Sequence, residues 1–284
     1  MECTARSFSS GSAFFLLKIL IRLIEDSDME MTQRRQRFFN EQYTFGKNYL
    51  HTFLGISPEK YNGLNILEVG GGEFGLLKAL EEYGATCTGI DISESRVQFA
   101  KQVHKNSSIS FHVGDICNYD SVAPSGQSFD LIVLRDVIEH IPDQESALNV
   151  CAELLAPSGL IYISFPPIYS PFGGHQQNFK YGKALPYIHI LPNPLYRFIL
   201  KSFGAEDRFI DVLLETKSTG ITIRRMFKIL KKLPLDYIFK KCYLVRPDFE
   251  IRFHLKQRSC VVLNNFPILQ EIFSTGCLLT LQKK

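Results

Sequence analysis

Residues 65–91, NILEVGGGEFGLLKALEEYGATCTGID, leave few folds open to this chain. A short apolar run, Ile66, Leu67 and Val69, leads into Gly70, Gly71 and Gly72, with Gly75 just beyond. Leu76, Leu77, Ala79 and Leu80 then recur at helical spacing, and a second apolar run ends in Asp91. Strand, glycine turn, helix, strand and acid, in that order, make up a nucleotide-cofactor half-site in an open parallel sheet. Glycines let the backbone pass close under a ligand with no Cβ in the way. A carboxylate at the tip of the second strand can accept both hydroxyls of a ribose, and a charge-assisted bond of that kind contributes about 1.5–3 kcal/mol.

Three details separate S-adenosylmethionine (SAM) from a nicotinamide cofactor. Glu68 lies on the first strand two residues before Gly70, where a pyrophosphate site puts an apolar residue. A carboxylate there repels a diphosphate and suits the ammonium of a methionyl group. A third strand, 109–113, ends in Gly114-Asp115, an acid placed to accept from an adenine amino group. A fourth, FDLIVL at 129–134, runs straight into Arg135-Asp136-Val137-Ile138-Glu139-His140-Ile141. Over residues 64–165 the chain resembles the class I SAM-dependent methyltransferases. Glu68-x-Gly70-x-Gly72 is similar to that family's first motif, Asp91 to its second, Asp115 to its third, and FDLIVLRDVIEHI to its fourth and post-fourth motifs. The resemblance implies SAM as cofactor, bound by Glu68, Gly70, Gly71, Gly72, Asp91, Ile92, Asp115, Ile116 and Arg135. One departure stands out: the family's usual third glycine falls at position 74, which is Phe here, with Gly75 one place later.

The rest of the core keeps the alternation. A crossover helix over 74–83 stops at Gly84. Ser93 caps a helix that runs to about His104, a solvated helix end on this reading, and a further helix spans 144–155. Pro157-Ser158-Gly159 closes that helix ahead of a fifth strand at 160–165. Strands and helices at this spacing imply right-handed crossovers, with ligands outside the carboxyl ends of the strands. The expected fold is α/β: a doubly wound, mostly parallel, seven-stranded Rossmann-like sheet. An antiparallel C-terminal strand pair closes it, with N-terminal helices before it and an insertion after strand five.

The 284 residues divide on this reading into an N-terminal helical cap (1–60), a SAM-binding core (61–165), a substrate-binding insertion (166–246) and C-terminal strands (247–284). Residues 13–24 (AFFLLKILIRLI, from Ala13 to Ile24) are too short to span a bilayer, which needs about 20 apolar residues. Lys18, Arg22 and Glu25 recur at helical spacing, so the run reads as an amphipathic helix that either caps the fold or lies on a membrane surface. A second helical stretch over 29–54 carries Phe38, Phe39, Tyr43, Phe45 and Tyr49, which either close the site or pack on the sheet. The segment 217–246, from Lys217 to Arg246, sets nine basic residues against one acid, Asp236, among apolar residues. It reads as an amphipathic helix face, either merely solvated or facing an anionic acceptor or membrane. No nucleic-acid motif accompanies the charge. The closing strands are expected at 248–255 and 277–281. Seven cysteines, none in a C-x-x-C pair, point to buried free thiols and a cytoplasmic setting, against a disulfide or zinc framework.

Methyl transfer from a sulfonium is an in-line displacement on an activated carbon, so the protein must chiefly position the acceptor and exclude water. A base is needed only where the acceptor must lose a proton. His140 in DVIEHI and His175 in FGGHQQNF are the candidate catalytic residues. Asp136, Glu139 and His140 share one face if their segment is helical. They resemble the acid-x-x-Glu-His of ubiquinone-pathway O-methyltransferases, for which a divalent metal has been proposed. Asp136 shortens the reach of the usual glutamate, and no metal is assigned. The reading is a methyltransferase acting on a small-molecule, glycan or lipid-linked acceptor, with oxygen favoured. Its alternatives are a non-catalytic SAM-binding scaffold and an NAD-dependent oxidoreductase.

Overall fold

A computed structural model describes residues 31–123, 126–179, 181–182, 185–259 and 265–284. The apolar run 13–24, Cys3 and Cys260 lie outside the described residues. In chain order the elements are α1 (Met31–Asn48), α2 (Leu50–Leu54), β1 (Asn65–Val69), α3 (Gly75–Glu81), β2 (Thr86–Asp91), α4 (Glu94–Val103), β3 (Ser110–Val113), α5 (Tyr119–Val122), β4 (Phe129–Arg135) and α6 (Gln144–Leu154). There follow β5 (Leu155–Phe165), α7 (Asn193–Ser202), α8 (Asp207–Thr219), α9 (Ile223–Leu230), β6 (Leu235–Val245), α10 (Asp248–Phe253), β7 (Arg258–Ser259), α11 (Pro267–Phe273) and β8 (Gly276–Lys283).

The sheet order is β3-β2-β1-β4-β5-β8-β6-β7. β1 to β5 are mutually parallel, and β8 runs antiparallel between β5 and β6. Alternate side chains feed two cores. Leu67, Val69, Ile132, Leu134, Ile161 and Ile163 meet α6 and α9 on one face. Ile66, Leu131, Val133 and Tyr162 meet α2, α3 and α4 on the other. Period-two alternation on strands covered by helices on both faces is what a doubly wound sheet requires.

The strand count is eight, where seven are expected: the extra one is β7, two residues that pair with β6 at the sheet edge. The long strand β6, which pairs with β8, lies at 235–245, inside the amphipathic basic segment, and 248–253, expected as a strand, is helix α10. Phe249 and Phe253, four residues apart, meet edge-on at 5.2 Å, a contact that only helical spacing makes. The basic segment is thus split among α8, α9 and β6. Lys217 is tied to the Leu191 carbonyl and Asn193, and Arg246 is buried. β5 begins at Leu155, with an irregular register against β4 and Ser158 at φ 62°. His104 is buried too: its Nε2 pairs with the Glu73 carbonyl at 2.9 Å, between Phe39 and Phe111.

All five described cysteines are free thiols, and Cys87, Cys151, Cys242 and Cys277 are buried. Among the described residues, no helix is long and apolar enough to cross a membrane. The described residues of 166–190 form turns and single 3-10 turns, and Phe179 and Ile188 among them pack with α7 and α8 on a small core around Tyr196, Leu200, Ile210 and Leu213.

Candidate functional site

The glycine turn links β1 to α3 at the carboxyl edge of the sheet. Backbone bonds carry the pairing past the strand ends: Gly70 N–H to the Ile90 carbonyl at 2.7 Å, and Gly114 N–H to that of Asp91 at 3.1 Å. The tips of β1, β2 and β3 therefore stand side by side. Gly70 takes φ 62°, and a Cβ there would come within 3.0 Å of Val137, which lies beyond the end of β4. A Cβ on Gly71 would fall 2.6 Å from Glu68 Cδ, so the turn closes directly over that carboxylate.

Phe74 stands where the family's third glycine is expected and adopts the left-handed backbone, φ 53° and ψ 30°. That conformation costs a non-glycine residue about 1–2 kcal/mol. Complete burial of the ring, edge-on to Phe111 at 5.1 Å, returns roughly 1.5–3 kcal/mol. The phenylalanine thus keeps the glycine's backbone and fills the space beneath the turn.

Gln42 on α1 straps the turn from above: its amide donates to the Gly71 carbonyl at 2.7 Å and accepts from Gly75 N–H at 2.9 Å. No motif marks this residue in the sequence. Tyr43, read as either closing the site or packing on the sheet, donates to Glu82 at 2.6 Å. Phe45, Phe53 and Tyr162 pack together in the core. Gln42→Ala should lower stability by about 1–3 kcal/mol, the worth of two hydrogen bonds partly shielded from water, as read by urea denaturation. An unmoved midpoint would mean that the strap carries no load.

Glu68 is 1% exposed, and its Oε2 has no hydrogen-bond partner. Burial lifts its pKa to about 7, against the opposing pull of Arg135 and the Leu77 amide. Asp91 is equally enclosed. Its Oδ1 accepts from Ser93 N–H at 2.8 Å, while Oδ2 has no hydrogen bond and faces the Arg96 guanidinium at 3.6 Å. Ser93 is the N-cap of α4 by position but makes no side-chain capping bond to the backbone; its Oγ pairs with Ser95 Oγ at 2.9 Å. Ile92 is 73% exposed beside it, whereas Ile116 is buried in the core. Asp115 is exposed at the tip of β3, one oxygen accepting from Cys117 N–H at 2.9 Å.

Arg135 stands apart from this group. Its guanidinium donates to Asp248 at 2.6 Å and lies over the Phe45 ring. Asp248 accepts from Arg246 as well, and Arg246 reaches on to Asp136 at 2.8 Å.

The segment after β4 is not an α-helix. Asp136 is left-handed at φ 56°, and only 138–140 form a single 3-10 turn. The shared helical face read for Asp136, Glu139 and His140 is therefore absent: Asp136 points to Arg246 and Ser164. His175 takes the vacated position. Its ring meets that of His140 edge-on at 4.8 Å, and its Nε2 lies 3.8 Å from Glu139 Oε1. Burial, helped by His140, pushes His175 down to about 4, and burial also lowers His140, which still reaches solvent. Both imidazoles are neutral near pH 7. The turn is braced by α8 and α6: Thr219 Oγ1 donates to the Glu139 carbonyl at 2.7 Å, and Gln144 bonds the carbonyls of Ile138 and Thr219.

The structure brings Glu68, Gly70, Gly71, Gly72 and Asp91 together at one rim, and His140 and His175 together beyond the end of β4. Two buried carboxylate oxygens without hydrogen bonds, beside a turn that a Cβ would fill, suit a ligand bearing an ammonium and a ribose.

Comparison with known proteins bears on the same region. A family described as "Methyltransferase domain" matches residues 32–190. The ubiquinone biosynthesis O-methyltransferase of Rhizobium leguminosarum bv. trifolii is 32% identical over 108 residues, 38% of this chain and 42% of that protein. The protein of the same name from Coxiella burnetii is 30% identical over 147 residues, 51% of this chain and 56% of that one. The chain thus spans about half the length of the curated relatives it matches. Among solved structures, the plantazolicin methyltransferase BamL, in complex with a triazolic desmethylPZN analog and SAH, has a TM-score of 0.52. The match covers 95% of this chain and 98% of that one at 11% identity, a likeness of fold alone.

Proposed function

The chain belongs to the methyltransferase-domain family, and from that membership we propose that it is a SAM-dependent methyltransferase moving a methyl group to a small-molecule acceptor, at oxygen. The single observation that carries the reading is the pair of buried oxygens without a hydrogen bond, Glu68 Oε2 and Asp91 Oδ2, the latter with only Arg96 at 3.6 Å, on adjacent strand tips around the glycine turn. The names of the curated relatives support oxygen as the accepting atom.

SAM, when bound, supplies a methyl group already activated by its sulfonium. In this reading Glu68 holds the ammonium, Asp91 Oδ2 accepts from the ribose, and Asp115 accepts from the adenine amino group beside the exposed face of Ile92. Gly70, Gly71 and Gly72 give the turn its close approach. Arg135 acts through its charge, which favours the ionised form of Glu68, while its guanidinium stays on Asp248. The acceptor lies toward His140 and His175, where a neutral imidazole can take the proton of a hydroxyl. His175 belongs to the insertion over 166–246, and we assign acceptor choice to that insertion.

Calorimetry with SAM and with SAH tests the cofactor, followed by transfer of a labelled methyl group to a catechol probe. Asp91→Ala should weaken SAM by about tenfold, the worth of one charge-assisted bond, with the circular dichroism unchanged. Unchanged affinity in that variant sinks the ribose assignment. Tight SAM binding with no transfer to any hydroxyl probe favours a binding protein of the same fold.

A further inference from the structure

Glu139 is the buried acid that the fold leaves unexplained. It is 1% exposed, and neither carboxylate oxygen has a hydrogen-bond partner. A carboxylate buried without a partner is strongly disfavoured unless a cation meets it. Around it, one donor atom each from Glu139, His140 and His175 lie within 4.8 Å of one another. The acid three residues before Glu139 is already spent: Asp136 Oδ2 accepts from Arg246 at 2.8 Å and Oδ1 from Ser164 at 3.3 Å.

We propose that Glu139, His140 and His175 form a binding site for a divalent first-row transition ion, in which His175 of the insertion takes the place that Asp136 has given up to Arg246. The ligand set of the acid-x-x-Glu-His segment, two carboxylates and one imidazole, becomes one carboxylate and two imidazoles. That exchange has a chemical consequence. Oxygen-rich sets suit magnesium, whereas two imidazoles with a carboxylate suit zinc, iron, cobalt or manganese.

Donors at about 2.0–2.2 Å from a shared ion stand at most about 4 Å apart. The Glu139–His175 pair, at 3.8 Å, is already within that span, so the adjustment falls to the exposed ring of His140. The bonds from Thr219 and Gln144 fix the turn that carries two of the three ligands. Three protein ligands leave open positions on the ion, facing the side given above to the acceptor. With the ion in place the two imidazoles are its ligands, so the inference replaces the base assigned above and leaves the cofactor half of the proposed function untouched. It is also measured without SAM or acceptor, and the two can fail separately.

Cobalt(II) is the probe, because its visible ligand-field absorption reports coordination directly. Titration of the full chain should saturate at one ion per chain, with bands of low coordination number that a large excess of magnesium leaves in place and zinc removes. His175→Ala and Glu139→Gln should each weaken cobalt by at least about tenfold, while Asp136→Asn changes it by less than about threefold. Far-ultraviolet circular dichroism accompanies each variant. Should one fail to fold, the other still decides, since His175 lies in an irregular segment and Gln is isosteric with Glu. No saturable band, displacement of cobalt by magnesium, or a folded Asp136→Asn that loses as much as His175→Ala would each overturn the proposal.

Discussion

Arg246→Ala is expected to lose about 3–5 kcal/mol of unfolding free energy in urea, the largest effect of any single substitution considered for this chain. The Arg246 side chain is 8% exposed, at the end of β6, and it donates to Asp248 at 2.6 Å and to Asp136 at 2.8 Å. Arg135 completes the group from β4 with a 2.6 Å bond to the other oxygen of Asp248. Two cations and two anions balance, and each cation has a carboxylate within hydrogen-bond distance. Burial alone would raise Asp248, but Arg246 and Arg135 together hold it far below the ordinary carboxylate range. Truncating Arg246 leaves two carboxylates, one of them largely enclosed, facing a single guanidinium. The cost comes mostly from that stranded charge rather than from the lost attraction, so the double variant Arg246→Met, Asp136→Asn should recover part of the loss. Arg246→Lys keeps the charge but not the fork that reaches both acids, and should fall between. A loss below about 1 kcal/mol for Arg246→Ala would show that water replaces the guanidinium and that the group is a surface network. A depressed carboxylate contributes above its unfolded pKa and is lost as the pH falls through the folded value. The difference between wild type and Arg246→Ala should therefore persist at neutral pH and shrink in strong acid.

The same network explains why part of the site was illegible. β1 to β5 follow from apolar runs separated by helices, and Glu68 and Asp91 follow from their places at strand tips, because local pattern and topology agree there. β6 does not follow. Its pleat is interrupted by a register shift between Tyr237 and Phe239, and Lys240 and Lys241 lie over aromatic rings, so neither period two nor a polar face shows in the sequence. Residues 248–255 alternate like a strand, yet 248–253 form α10 because Asp248 is drawn into the ion group and Phe249 meets Phe253 edge-on. Asp136 has motif spacing but is claimed by an arginine 110 residues away, and His175 reaches Glu139 from the far side of β5. Gln42 is a lone amide on a helix, with only distance in space to give it meaning. In each case the deciding partner is remote in sequence, and no local period encodes it.

Glu68→Gln should weaken SAM by about a hundredfold near pH 7.5 and remove the pH dependence of its binding. Burial, opposed by Arg135 and the Leu77 amide, raises the wild-type carboxyl from 4.5 to about 7. The native state then holds a proton that the unfolded chain has released between those values. Stability of the unliganded protein therefore falls as pH rises through that window, by on the order of 3 kcal/mol for this group. Glu68→Gln carries no such proton and should be the more stable protein at pH 7.5, although the weaker binder. An ammonium selects the ionised carboxylate, so wild-type affinity for SAM should climb about tenfold per pH unit below 7 and flatten just above it. The range must stay under about pH 7.7–8.0, where an α-amino group loses its own proton. SAH keeps the ammonium and should show the same slope, whereas 5'-methylthioadenosine keeps only the nucleoside and should bind with no slope. Parallel slopes for all three ligands would move the titrating group to the ribose or adenine end. A flat SAM profile would take Glu68 out of the site. Only the expected pattern, a slope that requires both the ligand's amine and the protein's Glu68, ties the unpartnered oxygen at the tip of β1 to the methionyl end of the donor.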